Sequence, residues 1–370
     1  MYKIVQMLPA LGWGGAQVFC IQLSNELAKN PNYDVTLVSL YDHTPNHMPV
    51  ERVDKKVKFI TLGKKNGLDL DIYKKVYKLL SEIKPDVVHT HLHAGYYVMW
   101  AYLRMKDNFV KVHTFHSLVT KDAPWHGRQM NKYFFRNGIM HPVSISDEVL
   151  KGAIKEYGPK TKTLIYNGSD TAKPTDKLQE VTGKINALKK NNDTKVLISV
   201  GRIYDVKNHR LIIEAMKVLE AENAIAIIVG GHLPQDQPLY DELMSIKPSN
   251  VHFMGKANNV GDYLLNADAF LMPSLYEGLP ISLLEAMSVG LVPICTPVGG
   301  FLDTVKPGIG FLSKDLSTES FLTAIKNFLH LSENDLQSLK QNIKSVFKNE
   351  FSMESCAKKY DDLYHNLEKK

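Results

Sequence analysis

The pattern that most constrains the fold of this chain is a repeated alternation of short apolar runs with amphipathic helical segments. Tyr2–Leu8 and Ala224–Val229, for example, are apolar runs of strand length, and each is followed by a glycine-containing loop and then by a helical pattern. Alternation of this kind predicts parallel sheets with helices packed on both faces. We therefore expect an α/β fold throughout the chain.

The alternation is interrupted once, which indicates two domains. Around residues 166–192 the pattern loosens, because Asn167–Asp170 is typical of a turn and Pro174 follows shortly afterwards. We place the boundary here, with a first domain over residues 1–168 and a second over residues 169–352. Two open α/β domains of similar size leave a cleft between the carboxyl edges of their sheets, and we expect a ligand there.

Composition indicates a soluble cytoplasmic protein. The hydrophobic share of 44% and the charged share of 23% are ordinary for a globular chain. The three cysteines, Cys20, Cys295 and Cys356, are odd in number and far apart, which favours reduced thiols over a disulfide framework. The sequence enters a strand at Tyr2 without a signal-peptide pattern, and no apolar run reaches the roughly 18 residues of a membrane span.

The positive charge is concentrated in the first half of the chain. Residues 1–166 contain 23 Lys and Arg and 14 Asp and Glu, a net charge of +9, within a total of +6. This favours an anionic partner such as a phospholipid or a nucleic acid, although a solvated lysine-rich surface explains it equally well. Residues 125–136 mix aromatic with basic side chains, which predicts either a helix on an anionic membrane or a helix with its rings in the core. The side chains concerned are Trp125, His126, Arg128, Lys132, Tyr133, Phe134, Phe135 and Arg136.

The strongest candidate site is the loop and helix after Ala267–Met272, an apolar run that predicts a buried strand. We expect the helix to begin at Leu279 or Pro280, so that Glu277 lies on the loop and Glu285 one to two turns into the helix. The glycine between them permits a tight turn, and the free N–H groups of a new helix favour an anion. Two such carboxylates suit one elongated polar ligand, whereas the alternative is two surface residues of an amphipathic helix.

Two further loops carry chemistry suited to phosphate. Arg202 follows Gly201 at a strand end and Lys207 lies five residues on, and a forked guanidinium with a compact ammonium suits a pyrophosphate. Near the N-terminus, Gly12–Gly15 is a glycine-rich turn before a helix, which can cradle a phosphate. It is not the dinucleotide fingerprint, because Gln17 stands where a third glycine is required. The alternatives are ordinary loop solvation for the first loop and a merely tight strand–helix turn for the second.

The histidines form a further group. His89, His91 and His93 alternate at the end of one predicted strand, and His113 and His116 lie at the end of another. We do not expect a metal site, since no cysteine or carboxylate stands at ligand spacing. His116 lies just past its strand, where catalytic and substrate-contacting groups gather, and the alternative is a core or surface histidine.

Together these motifs resemble those of the retaining glycosyltransferases of family 4, which have the GT-B fold. The resemblance runs in order along nearly the whole chain, through Gly14-Gly15, Phe115-His116, Tyr166-Asn167-Gly168, Gly201-Arg202 with Lys207, Glu277-Gly278-Leu279-Pro280 with Glu285-Ala286-Met287, and Pro297-Val298-Gly299-Gly300. It implies two Rossmann-like, doubly wound parallel-sheet domains that face a central cleft. It also implies that a closing helix within residues 353–370 crosses back to the first domain.

The resemblance implies that the second domain binds the donor. Glu285 would bind the ribose hydroxyls of a nucleotide sugar. Glu277, with the backbone of Gly278, Leu279 and Pro280, would hold the donor sugar. Whether Glu277 acts as a nucleophile or stabilises an oxocarbenium-like state stays open.

The resemblance also implies that Arg202 and Lys207, beside Gly201, neutralise the leaving pyrophosphate, so that neither a metal ion nor another cofactor is expected. This chain departs from the family pattern at one position. Many relatives have glycine after the lysine, where this chain has Asn208. That departure puts the shape of the loop in question.

In the first domain, Gly14 and Gly15 would approach the donor phosphate or the acceptor, and His116 would contact the donor sugar and help to build the catalytic site. The prediction is a metal-independent retaining hexosyltransferase of bacterial surface polysaccharide synthesis, with a UDP- or GDP-sugar donor and a glycan or lipid-linked acceptor. It would be cytoplasmic and peripheral on the inner face of the cytoplasmic membrane. The alternatives are a sugar-nucleotide epimerase of the same fold and a non-catalytic nucleotide-sugar binder; no nucleic-acid motif is visible beyond basic charge.

Overall fold

The computed structural model describes residues 1–105, 109–122 and 125–368, and the chain divides into two compact units. The first unit comprises Met1–Ser169 and Met353–Lys370, and the second comprises Asp170–Ser352. The last two residues of the predicted 353–370 segment, Lys369 and Lys370, lie outside the described residues. Each unit is built around one sheet, and the predicted α/β class with two parallel-sheet domains is confirmed.

The first sheet has seven strands. They are β1 (Tyr2–Leu8), β2 (Tyr33–Ser39), β3 (Lys58–Thr61), β4 (Val87–His91), β5 (Val110–Phe115), β6 (His141–Ser144) and β7 (Thr163–Leu164). Their order is β3-β2-β1-β4-β5-β6-β7, and every neighbouring pair is parallel. The central strands are buried on both faces, as in a sheet covered by helices on either side.

The second sheet has six strands. They are β8 (Lys195–Val200), β9 (Ala224–Val229), β10 (Val251–Gly255), β11 (Ala269–Met272), β12 (Val292–Cys295) and β13 (Phe311–Leu312). Their order is β10-β9-β8-β11-β12-β13, again with parallel neighbours throughout. Strands β9 and β11 are fully buried.

Fifteen α-helices lie within the described residues. They are α1 (Gly15–Leu27), α2 (Asp71–Ile83), α3 (Ala94–Arg104), α4 (Val119–Asp122), α5 (Trp125–Arg136), α6 (Asp147–Tyr157), α7 (Leu178–Asn186), α8 (His209–Val218), α9 (Gln237–Ile246), α10 (Val260–Leu264), α11 (Ile281–Ser288), α12 (Phe301–Thr304), α13 (Thr318–Leu329), α14 (Glu333–Val346) and α15 (Met353–Glu368). Short 3-10 turns occupy Val50–Arg52, Asp205–Lys207 and Pro234–Asp236, and a π-helical turn occupies Phe347–Phe351. No helix in the described ranges is both long and apolar enough to cross a bilayer.

The strand order of each sheet reverses at one place. In the first sheet the chain builds outward from β1 in one direction and, from β4 onward, in the other; in the second sheet the reversal lies between β8 and β11. The loops after two such strands diverge to opposite faces and leave a crevice at their carboxyl ends, where α/β proteins bind ligands. These two positions are therefore where the functional side chains are to be sought.

Helices α4, α7 and α12 were not predicted. Helix α7 lies inside the stretch 166–192, which the sequence analysis treats as irregular. Only Val181 and Ile185 of this helix are buried, four residues apart on one face. Its three apolar residues, Leu178, Val181 and Ile185, fall at helical spacing, but a nine-residue segment with Gly183 inside it does not distinguish a helix from a loop.

Candidate functional site

The second unit brings two oppositely charged side chains together where its strand order reverses. The loop after β8 carries Lys207 and the loop after β11 carries Glu277, and Lys207 Nζ lies 2.6 Å from Glu277 Oε1. Both side chains are 14% exposed, so the pair is largely but not fully shielded from water. Ser274 Oγ donates a second hydrogen bond to the same carboxylate oxygen, at 2.9 Å. The carboxylate is therefore held in one orientation by two donors.

Backbone hydrogen bonds hold the two loops against each other. Leu275 N, two residues before Glu277, donates to the carbonyl oxygen of Val206, the residue before Lys207, at 2.8 Å. The hydroxyl of Thr296, just after β12, donates to Ser274 O at 2.6 Å. Hydrogen bonds between the segments that follow β8, β11 and β12, three adjacent strands, thus fix the position of the ion pair.

Glycines allow this close approach of loops. Gly300 N donates to Gly278 O at 2.7 Å, and a Cβ atom at Gly300 would lie 2.2 Å from that oxygen. In the same way, a Cβ atom at Gly230 would lie 1.8 Å from Gly201 O. No other residue fits either position without displacing a loop that carries a predicted ligand-binding residue.

Arg202 lies on the same loop as Lys207 but is exposed, and it is held by an aromatic ring. Its guanidinium carbon lies 4.1 Å from the centroid of the Tyr204 ring, within cation–π distance. Burial, together with the nearby Glu277 carboxylate, raises the pKa of Tyr204 and keeps it neutral. The loop therefore offers one largely buried ammonium and one exposed, oriented guanidinium.

The departure from the family pattern at Asn208 leaves the turn in place. Asn208 has φ 49° and ψ 43°, in the left-handed region, and α8 begins at the next residue. Asparagine is the residue that most readily adopts this conformation after glycine. Asn208 therefore adopts a backbone conformation that glycine would also adopt without strain.

Helix α11 begins slightly later than predicted. Pro280 has φ −74° and ψ 134°, an extended conformation, so it precedes the helix and Ile281 is its first residue. Leu279 is buried at 3% exposure, and Glu285 lies half-buried one turn into the helix. Glu277 is on the loop and Glu285 is in the helix, the arrangement that the spacing predicts.

In the first unit, the glycine-rich turn follows β1, one of the two strands at the reversal. Gly14 is extended, with φ −167° and ψ 158°, and α1 begins at Gly15. A Cβ atom at Gly14 would lie 2.6 Å from Gln17 Oε1, so Gln17 occupies the space beside this turn. Trp13 is 37% exposed, with the Arg52 guanidinium 5.3 Å from its ring centroid.

His116 follows β5, is partly exposed, and hydrogen-bonds to a cluster of buried polar residues. Its Nε2 lies 2.9 Å from His91 Nδ1, and its ring packs edge-on to Phe19 at 5.4 Å between centroids. Burial and the neighbouring His113 lower the pKa of His116 to about 3, so the imidazole is neutral near pH 7. After His91, Leu92 adopts φ 54°, a left-handed conformation that is strained for leucine.

The histidines form hydrogen bonds rather than a metal site. Across the described residues, no group of three or more His, Cys, Asp or Glu is placed to hold a metal ion. His89 bonds to Tyr364 and Thr114, and His91 bonds to Gln6 and His116. Burial lowers the pKa of both His89 and His91 well below the usual value.

Helix α5 has one buried aromatic face and one exposed face. Phe134 and Phe135 are buried, at 4% and 1% exposure. Trp125, Met130 and Tyr133 are exposed, at 69%, 37% and 56%. The two phenylalanines therefore belong to the core, while a second, partly aromatic face remains at the surface.

Several residues of these clusters are missed by sequence reasoning. Ser274 holds Glu277, Tyr204 holds Arg202, and Gln6 joins the histidine cluster to Tyr364. Gln6 did leave a signal, because it is a polar residue inside the apolar run of β1 and is 0% exposed. The other contacts join residues that are distant in sequence or lie in loops, and periodicity carries no information about them.

Two family models match this chain. The model described as Glycosyltransferase Family 4 matches residues 13–173, and the model described as Glycosyl transferases group 1 matches residues 182–346. The first range contains Gly14, Gly15 and His116, and the second contains Lys207 and Glu277. Together the two models span most of both units.

Individual proteins support the same family. The chain is 28% identical to the Escherichia coli UDP-Gal:alpha-D-GlcNAc-diphosphoundecaprenol alpha-1,3-galactosyltransferase, over 98% of this chain and 96% of that enzyme. A glycosyltransferase structure from Rickettsia africae superimposes with a TM-score of 0.82 and 18% identity, covering 99% of this chain and 98% of the other. Anabaena Alr3699/HepE, solved with UDP-glucose, has a TM-score of 0.78 and 16% identity, covering 99% and 100%. With a parallel α/β sheet in each unit and both family models matched in order, this chain belongs to the family 4 glycosyltransferases and is a glycosyltransferase of the GT-B fold.

Proposed function

We propose that this glycosyltransferase moves a hexose from a nucleoside-diphosphate sugar to a hydroxyl acceptor, with retention of the anomeric configuration and without a metal ion. The observation that carries the proposal is the pairing of Lys207 with Glu277, 2.6 Å apart at the strand-order reversal of the second sheet. A cation and a carboxylate are thereby both within reach of one polar ligand at the place where such sheets bind ligands.

Lys207 and Arg202 are assigned to the diphosphate. As the bond between the sugar C1 and the diphosphate oxygen breaks, negative charge develops on the leaving group, and preorganised cations stabilise it. The acceptor hydroxyl oxygen forms the new bond to C1, and its proton leaves with the diphosphate or to solvent. Since protein cations supply the positive charge, we expect sugar transfer to be unchanged by EDTA.

Glu277 and Glu285 are assigned to the other two parts of the donor. Glu277, on the loop after β11 with Gly278, Leu279 and Pro280, is assigned to the sugar. Glu285, one turn into α11, is assigned to the ribose hydroxyls. In the first unit, His116 is assigned to the donor sugar, and the Gly14-Gly15 turn to the donor phosphate or the acceptor.

Mutation of the cations tests the phosphate assignment. Arg202→Ala and Lys207→Ala should each abolish sugar transfer while the circular dichroism spectrum stays that of the folded protein. The exposed Lys217→Ala, in the last turn of α8, is the matched control and should keep full activity. Transfer that survives in both variants contradicts the assignment.

We propose a UDP-sugar as the donor, because the E. coli relative, similar over nearly its whole length, is named for UDP-Gal. A thermal-shift screen against UDP-, GDP- and ADP-sugars tests this, since a ligand of the folded state raises Tm. UDP-sugars should give the largest increase. A larger increase with GDP- or ADP-sugars contradicts the choice of base.

We propose a lipid-linked acceptor, again from the name of that relative, and attachment at an anionic membrane through the exposed face of α5. Trp125 and Tyr133 on this face, with Arg136 at its end, are suited to an interface between lipid and water. The protein should sediment with phosphatidylglycerol liposomes and less so in high salt. A Trp125→Ala/Tyr133→Ala variant should sediment less, whereas the exposed Leu265→Ala of the second unit should not. Absence of binding at low salt contradicts the membrane proposal.

A sugar-nucleotide epimerase of the same fold, the alternative that the motifs left open, predicts a different product. An epimerase converts the donor to its epimer in the absence of any acceptor. Incubation of the purified protein with UDP-galactose alone, analysed by chromatography of the sugar nucleotide, separates the two. A new sugar nucleotide without acceptor contradicts the transferase proposal.

A further inference from the structure

A continuous chain of hydrogen bonds runs through the interior of the first unit. His116 Nε2 lies 2.9 Å from His91 Nδ1, and His91 Nε2 lies 2.7 Å from Gln6 Oε1. Gln6 Nε2 donates to Tyr364 Oη at 3.2 Å, and Tyr364 Oη lies 2.7 Å from His89 Nδ1. The chain continues from His89 Nε2 to Thr114 Oγ1, at 2.8 Å, and from there to Tyr360 Oη, at 2.8 Å. We call these residues the histidine relay.

The relay crosses strands that are adjacent in the sheet. Gln6 is on β1, His89 and His91 are on β4, and Thr114 is on β5, so their side chains lie on one face at neighbouring registers. Two tyrosines of α15, Tyr360 and Tyr364, cover this face, and both are 0% exposed. Gln6, His89 and His91 are also 0% exposed, so no water competes for these hydrogen bonds.

Gln6 gives the relay a direction, because its two ends differ in chemistry. The carbonyl oxygen of a glutamine only accepts hydrogen bonds and the amide nitrogen only donates them. Since Oε1 faces His91, His91 must carry its proton on Nε2 and a lone pair on Nδ1. That lone pair must receive a proton from His116 Nε2. A neutral His116 therefore has its own lone pair on Nδ1.

The far end of His116 supports this direction. His116 Nδ1 is buried and makes no hydrogen bond within the described residues. Reversing the Gln6 amide would reverse the bonds through His91 and put an N–H on this unpartnered atom. A buried donor without a partner is rarer in proteins than a buried acceptor without one. An acceptor atom left unpaired in this way is also the feature that a ligand hydroxyl satisfies.

We propose that His91 and Gln6 are positioning residues that hold His116 as the neutral Nε2–H tautomer, so that its Nδ1 accepts a hydrogen bond from a hydroxyl of the donor sugar. The sugar contact rests on the proposed function, whereas the tautomer does not. Burial and the neighbouring histidine, which lower the pKa of His116 to about 3, keep the ring neutral.

The proposal gives α15 a role in the site. Tyr364 Oη accepts the hydrogen bond from the Gln6 amide nitrogen, at 3.2 Å, and so holds the Gln6 side chain against the histidines. Helix α15 also packs against the relay through its rings. The centroid of the Tyr360 ring lies 5.0 Å from that of His89, and 6.1 Å from that of Phe19, which contacts His116. The last helix of the chain thereby fixes the orientation of a histidine more than 240 residues earlier in the sequence.

NMR of the ligand-free protein labelled with nitrogen-15 histidine tests the tautomer, because protonated and bare ring nitrogens resonate far apart. The His116 signals are identified by their loss in His116→Gln. In the wild type we expect a proton on Nε2 and none on Nδ1. In Gln6→Met, which keeps the volume but removes the acceptor, we expect His116 to populate both tautomers.

Ligand affinity tests the sugar contact. The sugar nucleotide that raises Tm most, for example UDP-galactose, and its matching diphosphate, UDP, are titrated by calorimetry. In Gln6→Met and His91→Phe the sugar nucleotide should bind on the order of tenfold more weakly while UDP binding is unchanged, since only the sugar reaches His116. Ser24→Ala is the matched control, because it removes a buried hydrogen bond to Cys20 O in the same unit, outside the relay.

The outcomes separate the two parts of the proposal. A proton on His116 Nδ1 in the wild type, or an unchanged tautomer in Gln6→Met, overturns the relay. A shifted tautomer with unchanged sugar-nucleotide affinity overturns the sugar contact, and with it the role of His116 in the proposed function, but leaves the relay standing. Equal weakening of UDP and UDP-galactose, or an equal effect of Ser24→Ala, also overturns the sugar contact, because it indicates a general loss of structure.

Discussion

Lys207 and Glu277 lie 70 residues apart in the sequence and form an ion pair of 2.6 Å between Nζ and Oε1, with Ser274 as a third partner. Each of the two side chains is the main charged partner of the other, and each is 14% exposed. A diphosphate that binds Lys207 must therefore compete with Glu277. Release of Glu277 on donor binding would free its carboxylate for sugar hydroxyls, so the pair prepares both groups for one ligand.

Removing one member of this pair should destabilise the second unit. Lys207→Met leaves a partly buried carboxylate without its cation, and we expect a loss of about 2 kcal/mol in the free energy of unfolding. Adding Glu277→Gln should restore part of it, with a coupling of about 1 kcal/mol in a double-mutant cycle measured by urea denaturation. The exposed pair Lys184–Glu180, also 2.6 Å apart, is the control, and Lys184→Met should leave the urea midpoint unchanged. Additive effects at Lys207 and Glu277 would contradict the coupling.

Gly300 should be intolerant of a side chain, because its Cβ would meet Gly278 O at 2.2 Å. Gly300→Ala should lower the free energy of unfolding by about 1–3 kcal/mol and reduce activity by moving the Glu277 loop. Gly183→Ala, inside α7 with nothing within 4 Å of the new Cβ, should instead stabilise by about 0.5–1 kcal/mol. Thermal unfolding measures both, and a Gly300→Ala variant as stable as the wild type would show that the loops separate freely.

Asn208 should tolerate glycine and reject a β-branched residue. At φ 49° and ψ 43°, a residue with a branched Cβ is strained by about 1–2 kcal/mol. Asn208→Val should therefore lower Tm by several degrees and reduce transfer, whereas Asn208→Gly should match or exceed the wild type in Tm and keep its activity. Equal Tm values for the valine and glycine variants would indicate that the turn has a different backbone shape.

Acid should destabilise the second unit through His209. Burial and Lys207 lower the pKa of His209 to about 3, against an unfolded value of about 6.5, and the side chain is 2% exposed. Between these values the unfolded chain binds the proton and the folded chain does not, so stability rises with pH. This contribution is complete above about pH 6.5 and falls by about 1.4 kcal/mol for each pH unit below it.

The variant His209→Leu isolates that contribution. The free energy of unfolding, measured in urea at pH 7.5 and pH 5.0, should decrease less on acidification in His209→Leu than in the wild type. His330→Leu, at the end of α13 and not fully buried, is the control and should keep the wild-type pH slope. An identical slope in His209→Leu and wild type would contradict the lowered pKa.

Strong periodic signals were predictable from the sequence, and weak ones were not. The strand Tyr2–Leu8 has the predicted limits because its apolar run is nearly continuous, and the helix Met353–Glu368 lies within the predicted segment 353–370. The start of α11 differs by one or two residues because the backbone angles of Pro280 depend on its surroundings. Helix α7 was not predicted, since three apolar residues in a nine-residue segment with an internal glycine give only a weak pattern.

The sequence alone determined the fold class, the family and the residue types at the loops that follow β8 and β11, because these depend on local pattern and on motif order. Only the tertiary structure decided which side chains touch. Lys207 pairs with Glu277, the Arg202 guanidinium lies over the Tyr204 ring, and Gln6 links the histidines to α15 by hydrogen bonds. The physical reason is that strand order and register bring distant residues together. Hydrogen bonds across neighbouring strands leave no periodic signal along the chain.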